Sequence, residues 1–514
     1  MKIFRVFILT VICTTGLAMQ SGAQIIKNYG QEWKAVEDHI SKGLPASALE
    51  AVKKIYTTAK AEKQDAQIVK ALVYITQLQQ ENREENFALR IKEIEKERQT
   101  SKEPVTSLLN SYLAGLYYQY FAVNRYKLYG RTNTVDFNKE DIATWTTDDF
   151  HKKISELYLL SIQNPRLLQQ VKLADYDALI EKGNVRYLRP TLYDILAHHA
   201  LNYFKNDERN ITKAASSFEI SDTKALSPAE EFVNASFKTK DSLSLQHKAL
   251  LIYQDLIRFH LNDTRPDALI DVDLARLQYV NSKIVFSNAV TGPLIIIDGN
   301  IATGLNVITP EEIQEISILK DASATALYGS RGVNGVVVIT SKSKNFKPSA
   351  AAKTITGMED KDLLYYIALQ HIVSKYGNIP ATAQAQYLMA LLHQQKGNEY
   401  NAHADTANRY ELLKAKEITD KILEQKEKSE GWANAYNLNQ QLLQPYFSFT
   451  TEKVNLPEQP FRMLVNFKNI SRVYLRAIPA TEALKKAMQN DQGDHKNWIA
   501  LAAAKAVKSW QQEL

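Results

Sequence analysis

The side chains that could do chemistry are scattered along this chain of 514 residues. His198 and His199 are adjacent and would point in different directions on a helix, so we interpret them as packing or capping residues in preference to metal ligands. Asp271 and Asp273 resemble the start of a calcium loop, but the glycine and the distal glutamate that such a loop requires are missing. These residues therefore predict no metal site.

Catalytic motifs are also absent from the sequence. The glycines from Gly329 to Gly335 could suggest phosphate binding, but the pattern G-x-x-x-x-G-K-[ST] does not occur. Neither the H-E-x-x-H zinc motif nor the G-x-S-x-G nucleophile elbow is present. The many Asp and Glu residues have the spacing of helix surfaces and single out no acid–base pair. We therefore expect no enzyme activity and no cofactor.

The elements that would hold the glycine-rich stretch lie between Gly292 and Lys344, where the sequence is dense in glycine and β-branched residues. Its apolar runs predict strands, Asp-Gly predicts a tight turn, and Thr-Pro-Glu-Glu predicts a helix start. The segment reads as β-α-β-α-β, with strands at Leu294–Ile297, Ile316–Leu319 and Val336–Thr340 and helices that begin at Thr309 and span Ala322–Tyr328. Its expected core is Ile295, Ile297, Ile316, Leu319, Val336 and Val338.

Two runs in this segment resemble the plug domain of TonB-dependent outer-membrane receptors of the SusC/RagA type. They are Pro293–Gly299, which reads PLIIIDG, and Leu319–Gly335, which reads LKDASATALYGSRGVNG. The resemblance implies a plug-like α/β module over residues 285–346. Its signature residues are candidates for interaction or for turn formation: Asp298, Gly299, Lys320, Asp321, Tyr328, Gly329, Arg331, Gly332 and Gly335.

The N-terminus has the pattern of a signal peptide over residues 1–23. Lys2 and Arg5 precede an apolar stretch, and small residues up to Ala23 suit cleavage there. The only cysteine, Cys13, lies inside this segment, so the processed chain would form no disulfide. No later run approaches the roughly 20 apolar residues of a transmembrane helix. We expect an exported protein that is periplasmic or associated with the outer membrane.

The remainder is predicted to be mainly α-helical. Residues 24–284 and 358–443 have helical periodicity, and facing Ala, Leu and Tyr residues suggest a degenerate TPR-like array. Residues 205–244 are predicted to form a loop or linker, and Asn124–Thr132 is interpreted as a helix end that packs its tyrosines. Residues 445–514 carry alternating patterns typical of the first strands of a β-sandwich, followed by a helical pattern from Ala480. We expect that β domain to be incomplete.

The helical parts resemble the N-terminal region of Bacteroidetes-type bacterial alpha-2-macroglobulin-like proteins. The residues that carry the resemblance are Leu188–His198, Asp267–Leu277, Glu452–Arg462 and Val473–Arg476. The family traps proteases in the cell envelope with a bait region and, in many members, a Cys–Gln thioester. This chain has no cysteine after residue 23 and ends in its first β domain, so the resemblance implies only the N-terminal part of such a protein.

Two functional hypotheses follow. The first is a non-catalytic cell-envelope protein, the N-terminal part of an alpha-2-macroglobulin-like protease-trapping protein, with a plug-like interaction module inserted between Phe286 and Glu359. The alternative is a plug-bearing TonB-dependent receptor protein that takes part in outer-membrane transport. Expected partners are proteins of the cell envelope, including outer-membrane components. The formal charge of +6, with basic and acidic residues interleaved, does not indicate nucleic-acid binding.

Overall fold

The structure is a computed structural model of the chain. It describes residues 29–79, 86–128, 141–206, 217–285, 294–298, 300–302, 312–319, 336–342, 360–400, 408–452, 459–490 and 495–514. The chain divides into two units, Met1–Val285 and Phe286–Leu514. Each unit is described by itself below.

The first unit is built from helices, as its periodicity predicts. In α2, helical spacing predicts one apolar face, made of Ala48, Val52, Ile55, Tyr56 and Ala59. Four of these residues are buried, and Tyr56 is half-buried. A TPR-like repeat stays a prediction. The helices, α1 to α11 in chain order, are Gly30–Ser41, Pro45–Ala61, Asp65–Leu78, Asn86–Thr100, Val105–Leu128, Thr147–Ser161, Pro165–Leu168, Leu192–Phe204, Ala229–Phe232, Leu245–His260 and Asp267–Lys283.

Two helices of this unit begin with a reciprocal capping box. At α6, the Thr146 hydroxyl accepts the Asp149 amide while the Asp149 carboxylate accepts the Thr146 amide. Thr191 and Asp194 repeat the arrangement at α8. Each box satisfies two backbone N–H groups that a helix start would otherwise leave without partners. The sequence Thr-Leu-Tyr-Asp thus determines where α8 begins.

The predicted loop over residues 205–244 is mostly irregular where the structure describes it, at 205–206 and 217–244, but it contains two short helical turns and is packed against the helices. Leu226, Phe232 and Phe237 are buried there, and α9 lies within it. Gln254 of α10 donates to the carbonyl oxygens of Phe232 and Ala235 at 2.7 and 2.8 Å. This segment is therefore part of the packed core, because side chains from later helices satisfy its backbone carbonyls.

The interpretation of Asn124–Thr132 as a helix end that packs its tyrosines is wrong for Tyr126, whose side chain is 87% exposed. Residues 124–128 complete α5. The rest of the stretch, from residue 129, lies outside the described residues.

The second unit begins with a four-stranded sheet. β1 is Leu294–Ile297, β2 is Asn300–Ala302, β3 is Ile313–Leu319 and β4 is Val336–Ser341, in the order β2-β1-β4-β3. β1 runs parallel to β4, whereas β1–β2 and β3–β4 are antiparallel. The three predicted strands are therefore present, and the short strand β2 is additional. The two helices predicted within the module lie outside the described residues.

Four helices follow the sheet: α12 at Asp360–Tyr376, α13 at Ala383–Asn398, α14 at Glu411–Leu423 and α15 at Glu430–Leu443. These helices pack closely against one another. A Cβ added to Gly431 would come within 2.2 Å of the Gln384 backbone nitrogen, so α15 needs glycine where it meets α13. Ala390 of α13 and Ala415 of α14 are fully buried in one cluster with Leu438 and Leu442 of α15.

The C-terminal part contains two separate two-stranded antiparallel sheets among its described residues. β5, Tyr446–Thr451, pairs with β6, Met463–Lys468, and β7, Arg472–Ala477, pairs with β8, Lys508–Glu513. Helices α16, Glu482–Asn490, and α17, His495–Ala503, lie between β7 and β8. The alternating patterns predicted strands at the start of this region. The helical pattern expected from Ala480 to Leu514 is confirmed at α16 and α17 and is wrong at β8. A β-sandwich of macroglobulin type stays a prediction.

Within the described ranges, no helix combines the length and apolar character that crossing a membrane requires.

Candidate functional site

Asp298 connects the end of β1 to the end of β4. Its backbone lies in the left-handed region at φ +48°, which Asp tolerates better than most residues, and its N–H donates to the Ile339 carbonyl at 2.8 Å. Its carboxylate accepts the Ser341 backbone N–H at 2.7 Å and the Ser341 hydroxyl at 2.5 Å. Asp298, the first residue of the predicted Asp-Gly turn, therefore follows β1 directly and also binds β4.

The core of the module lies in its two central strands. Ile296 of β1 and Val336 of β4 are buried together, and Ile297 and Ile339 are buried in a second cluster. Burial in two clusters is expected because the side chains of adjacent strand residues point to opposite faces.

Ile316 was predicted to be a core residue, but its side chain is 52% exposed. Ile318, on the same strand, is 61% exposed. β3 is the outermost strand of the sheet and pairs only with β4, so its side chains have neighbours on one side. Periodicity identifies a strand but does not say whether it is central or at an edge.

Of the nine signature residues, only Asp298 lies within the described part of the chain. Seven of the others fall in one connection, residues 320–335, whose flanking residues Leu319 and Val336 are register partners. That connection therefore leaves and re-enters the sheet at the same end. It carries Lys320, Asp321, Tyr328, Gly329, Arg331, Gly332 and Gly335, whereas Gly299 follows Asp298 directly.

Asp298 lies at the opposite end of the sheet from that connection. β4 begins at Val336, beside Leu319, and ends at Ser341, beside Asp298. At about 3.3 Å per residue, the two ends of β4 are roughly 17 Å apart. The sheet thus separates the turn at Asp298 from the start and the end of the 320–335 connection. The sequence alone did not show that Asp298 and the 320–335 connection lie at opposite ends of the sheet.

A buried histidine cluster in the first unit was missed by sequence reasoning. His260, at the end of α10, contacts Asp194 at 2.9 Å through Nε2 and Asp263 at 2.7 Å through Nδ1. Each ring nitrogen faces a carboxylate oxygen, which is an acceptor, so the arrangement favours a protonated ring in which both nitrogens donate. Burial alone lowers the pKa of His260, but the hydrogen bonds and charges of Asp194 and Asp263 outweigh it and leave that pKa raised.

This cluster is structural in character. The His260 side chain is fully buried, and both of its ring nitrogens are occupied, so neither can take a proton from a substrate. Asp194 uses its other carboxylate oxygen to accept from Thr191 in the α8 capping box. Asp194 and His260 are 66 positions apart in the chain, and no local pattern links them.

The two adjacent histidines of α8 have different surroundings, as the sequence implied. His198 Nδ1 lies 2.7 Å from the Asp194 carbonyl, and His199 Nδ1 lies 3.4 Å from the Ser111 hydroxyl. Burial, together with the positive charge of Arg189, lowers the pKa of His198 to about 4. His198 is therefore neutral at physiological pH.

Arg276 is fully buried and holds the 217–244 segment against α11. Its guanidinium donates to the Ala225 and Ser227 carbonyls at 2.7 and 3.0 Å, and it pairs with Asp273 at 2.5 Å. It also lies over the Phe232 ring at 4.4 Å. Asp273, considered from sequence as part of a calcium-loop pattern, is thus a partner of arginine.

No group of three or more His, Cys, Asp or Glu side chains is arranged to hold a metal ion among the described residues.

Comparison with known proteins finds a match to a protein-family model in the plug-like module. Residues 281–336 match the TonB-dependent Receptor Plug Domain. This segment is similar to a receptor plug. The match begins at the end of α11 and reaches the first residue of β4, so it includes Asp298 and the connection before β4.

Three curated relatives match over short stretches. TonB-dependent receptor SusC of Bacteroides thetaiotaomicron is 48% identical over 64 residues, which is 11% of this chain and 6% of the relative. TonB-dependent receptor P26 of Formosa agariphila is 44% identical over 82 residues, 14% of this chain and 8% of the relative. TonB-dependent receptor P3 of the same species is 36% identical over 103 residues, 20% and 9% respectively.

The matched stretches thus span less than a tenth of the length of these curated relatives. The similarity supports the plug resemblance and points to the outer membrane or the cell envelope. It gives no support to the alpha-2-macroglobulin resemblance. No solved structure matches the chain with significance.

Proposed function

We propose that this protein is a plug-bearing component of outer-membrane transport in the cell envelope. The observation that carries the proposal is the plug match over residues 281–336, together with a sheet whose central strands have their own buried core. Of the two hypotheses drawn from the sequence, the receptor-type alternative has this support, and the protease-trapping hypothesis does not.

The module would act as an interaction element and not as a catalyst. Asp298 stabilises one end of the sheet by accepting from Ser341, so its carboxylate already has partners within the fold. The connection between Leu319 and Val336 carries Lys320, Asp321 and Arg331, charged groups suited to contacts with another protein. Partners in this proposal are envelope proteins, including outer-membrane components.

The experiment replaces residues 320–335 by a Gly/Ser linker of equal length in an affinity-tagged full chain. Because Leu319 and Val336 pair directly, a flexible connection of that length closes without strain. The matched control replaces residues 401–407, the connection between α13 and α14, in the same way. Each chain is expressed in a bacterium of the same kind as the species of the matched relatives, so that a comparable cell envelope is present. The chain is then cross-linked to its neighbours and purified.

We expect outer-membrane proteins to be recovered with the natural chain and with the control, and to be lost with the 320–335 replacement. Fractionation of the envelope should show the natural chain with the outer membrane. Equal recovery of the same partners from all three chains would contradict an interaction role for the module. A chain found with no outer-membrane protein would contradict the proposed function as a whole.

A further inference from the structure

The edge strand β3 of the plug-like module combines an open backbone edge with exposed isoleucine side chains. Among the described strands it pairs only with β4, so the N–H and C=O groups that point to its other side have no partner strand there. Ile316 and Ile318 are two residues apart and therefore point to the same face of the sheet, where they are 52% and 61% exposed. β-branched side chains along an open edge suit the addition of one more strand.

Few features along β3 protect this edge from pairing. The strand at the opposite edge, β2, spans only Asn300–Ala302, and so short a strand offers little to pair with. β3 has seven residues, and its register against β4 shifts only near its start, between Ile313 and Glu315. From Glu315 to Leu319 its pairing with β4 is regular, and Glu315 is the only charged residue of the strand. Five regular residues with one charge are therefore available at this edge.

These five residues are complementary to a second copy of themselves. In an antiparallel pair centred on Ser317, Ile316 of one copy lies opposite Ile318 of the other, and the two-fold axis repeats this contact. The two Ser317 side chains meet on the other face of the sheet. Glu315 lies opposite Leu319 of the other copy. The two Glu315 residues are then four positions apart, roughly 13 Å along the strands, so no like charges face each other.

The neighbouring registers are less favourable. A pair centred on Glu315 would place two carboxylates directly opposite each other, which is destabilising. A pair centred on Ile316 would place Ile318 opposite Gln314, which lies within the register shift. Of these registers, the one centred on Ser317 is the one that pairs the two exposed isoleucines with each other.

From this complementarity we infer that β3 is a contact between two copies of the chain, which join their sheets by antiparallel β3–β3 pairing centred on Ser317. The two four-stranded sheets then form one sheet of eight strands. Strands of five residues exchange about four to six backbone hydrogen bonds. The contact is at the low end of interface sizes, below about 1,200 Å², so the dimer is reversible. This inference goes beyond the proposed function, which concerns the 320–335 connection and envelope proteins.

Cysteine cross-linking of the full chain tests the register. The sequence contains one cysteine, Cys13, which is replaced by Ser in every chain. Ser317→Cys places a thiol opposite its own copy, where the Cα atoms of paired strand residues are about 4.5–5.5 Å apart and a disulfide can form. Glu315→Cys is the matched control. It is exposed like Ser317 and lies on the same face of the same strand, but its copy is roughly 13 Å away along the strands.

Sedimentation equilibrium of the full chain measures the association itself. We expect the natural chain to shift from monomer to dimer as its concentration rises through about 1–100 µM, the range of a small, reversible contact. Ile318→Lys places a charge against Ile316 of the other copy, twice in each dimer, and should weaken association by at least about tenfold. Leu413→Lys, at a similarly exposed leucine of α14, is the matched control and should associate like the natural chain. Circular dichroism verifies that the variants are folded.

The expected result is a disulfide-linked dimer of Ser317→Cys after mild oxidation, with Glu315→Cys remaining monomeric. Equal cross-linking of the two cysteine chains would indicate random collision and would overturn the inference. Preferential cross-linking of Glu315→Cys would overturn the register. A natural chain that stays monomeric throughout the concentration range would overturn the dimer. None of these variants changes residues 320–335, so failure of the dimer leaves the proposed function in place.

Discussion

Replacing Asp298 by Ala should loosen the pairing of β1 with β4 at the end of the sheet that holds the Asp-Gly turn. The substitution removes both hydrogen bonds that the carboxylate accepts from Ser341, at 2.7 and 2.5 Å. It leaves the Ser341 N–H without its acceptor. It also places Ala at φ +48°, a left-handed conformation that its Cβ disfavours.

The size of the effect follows from these losses. A hydrogen bond to a charged group contributes about 1.5–3 kcal/mol, and the left-handed conformation costs Ala about 1 kcal/mol. Asp298 is only half-buried, so water replaces part of what is lost. We expect a net reduction of about 2–4 kcal/mol in the free energy of opening at this end of the sheet. At about 1.4 kcal/mol per factor of ten, amide exchange should accelerate by about thirty- to several-hundredfold.

The assay is hydrogen–deuterium exchange of the intact chain, read by mass spectrometry in a peptide that covers residues 336–342. A peptide from α5 is the internal reference and should not change. Asp298→Gly removes the same hydrogen bonds without the left-handed strain, so its effect should be smaller than that of Ala by about 1 kcal/mol. Asp298→Asn keeps one acceptor and tolerates the backbone conformation, and should have the smallest effect.

A double-mutant cycle with Ser341→Ala separates coupling from general destabilisation. The two substitutions should be less than additive, because each removes the same contact between hydroxyl and carboxylate. Unchanged exchange in residues 336–342 for Asp298→Ala would refute the reasoning. Strict additivity of the two substitutions would refute the contact itself.

Three further predictions concern the helices, each measured by urea unfolding of the full chain. The carboxylates around His260 raise its pKa, so the charged ring stabilises the fold fully below the unfolded pKa of about 6.5, and this stabilisation is lost as pH rises through the folded pKa. His260→Gln should therefore lower the free energy of unfolding more at pH about 5.5 than at pH about 8.5. An equal reduction at both pH values would contradict this linkage. Arg276→Met should lower the free energy of unfolding by about 3–5 kcal/mol, because Asp273 becomes a buried unpaired charge. Adding Asp273→Leu should recover much of that free energy. No recovery in the double variant would refute the unpaired charge as the cause. Gly431→Ala should lower the free energy of unfolding by more than about 3 kcal/mol, because the added Cβ clashes with the backbone of α13. Gly115→Ala, with open space around it, should raise that free energy by up to about 1 kcal/mol. Equal effects of the two substitutions would contradict the close packing of α15 against α13.

Several elements of the plug-like module could be predicted from sequence because their signals are local. The apolar run of β1 and the β-branched run of β4 identify strands, and Asp298-Gly299 identifies the turn. β2 was missed because Asn300–Ala302 is too short to carry a period. Its strand character comes from pairing with β1 across the turn.

β8, like β2, could not be predicted from its local sequence. Its sequence, KSWQQE, has no apolar alternation, and all six of its residues are exposed. It is a strand because it pairs along its whole length with β7, more than 30 residues earlier in the chain, and Arg472 forms an ion pair with Glu513. A pairing partner that distant leaves no mark on the local pattern.

Helix positions, the apolar face of α2 and the start of α8 at Thr191 follow from spacing and capping within a few residues, so they could be read directly from the chain. The tertiary structure alone decided that His260 lies between Asp194 and Asp263, that Arg276 orders the 217–244 segment, and that Asp298 lies at the opposite end of the sheet from the 320–335 connection. The reason is physical. Periodicity and caps depend on neighbours within one or two turns, whereas burial of a charge and the position of a strand depend on groups that only folding brings together.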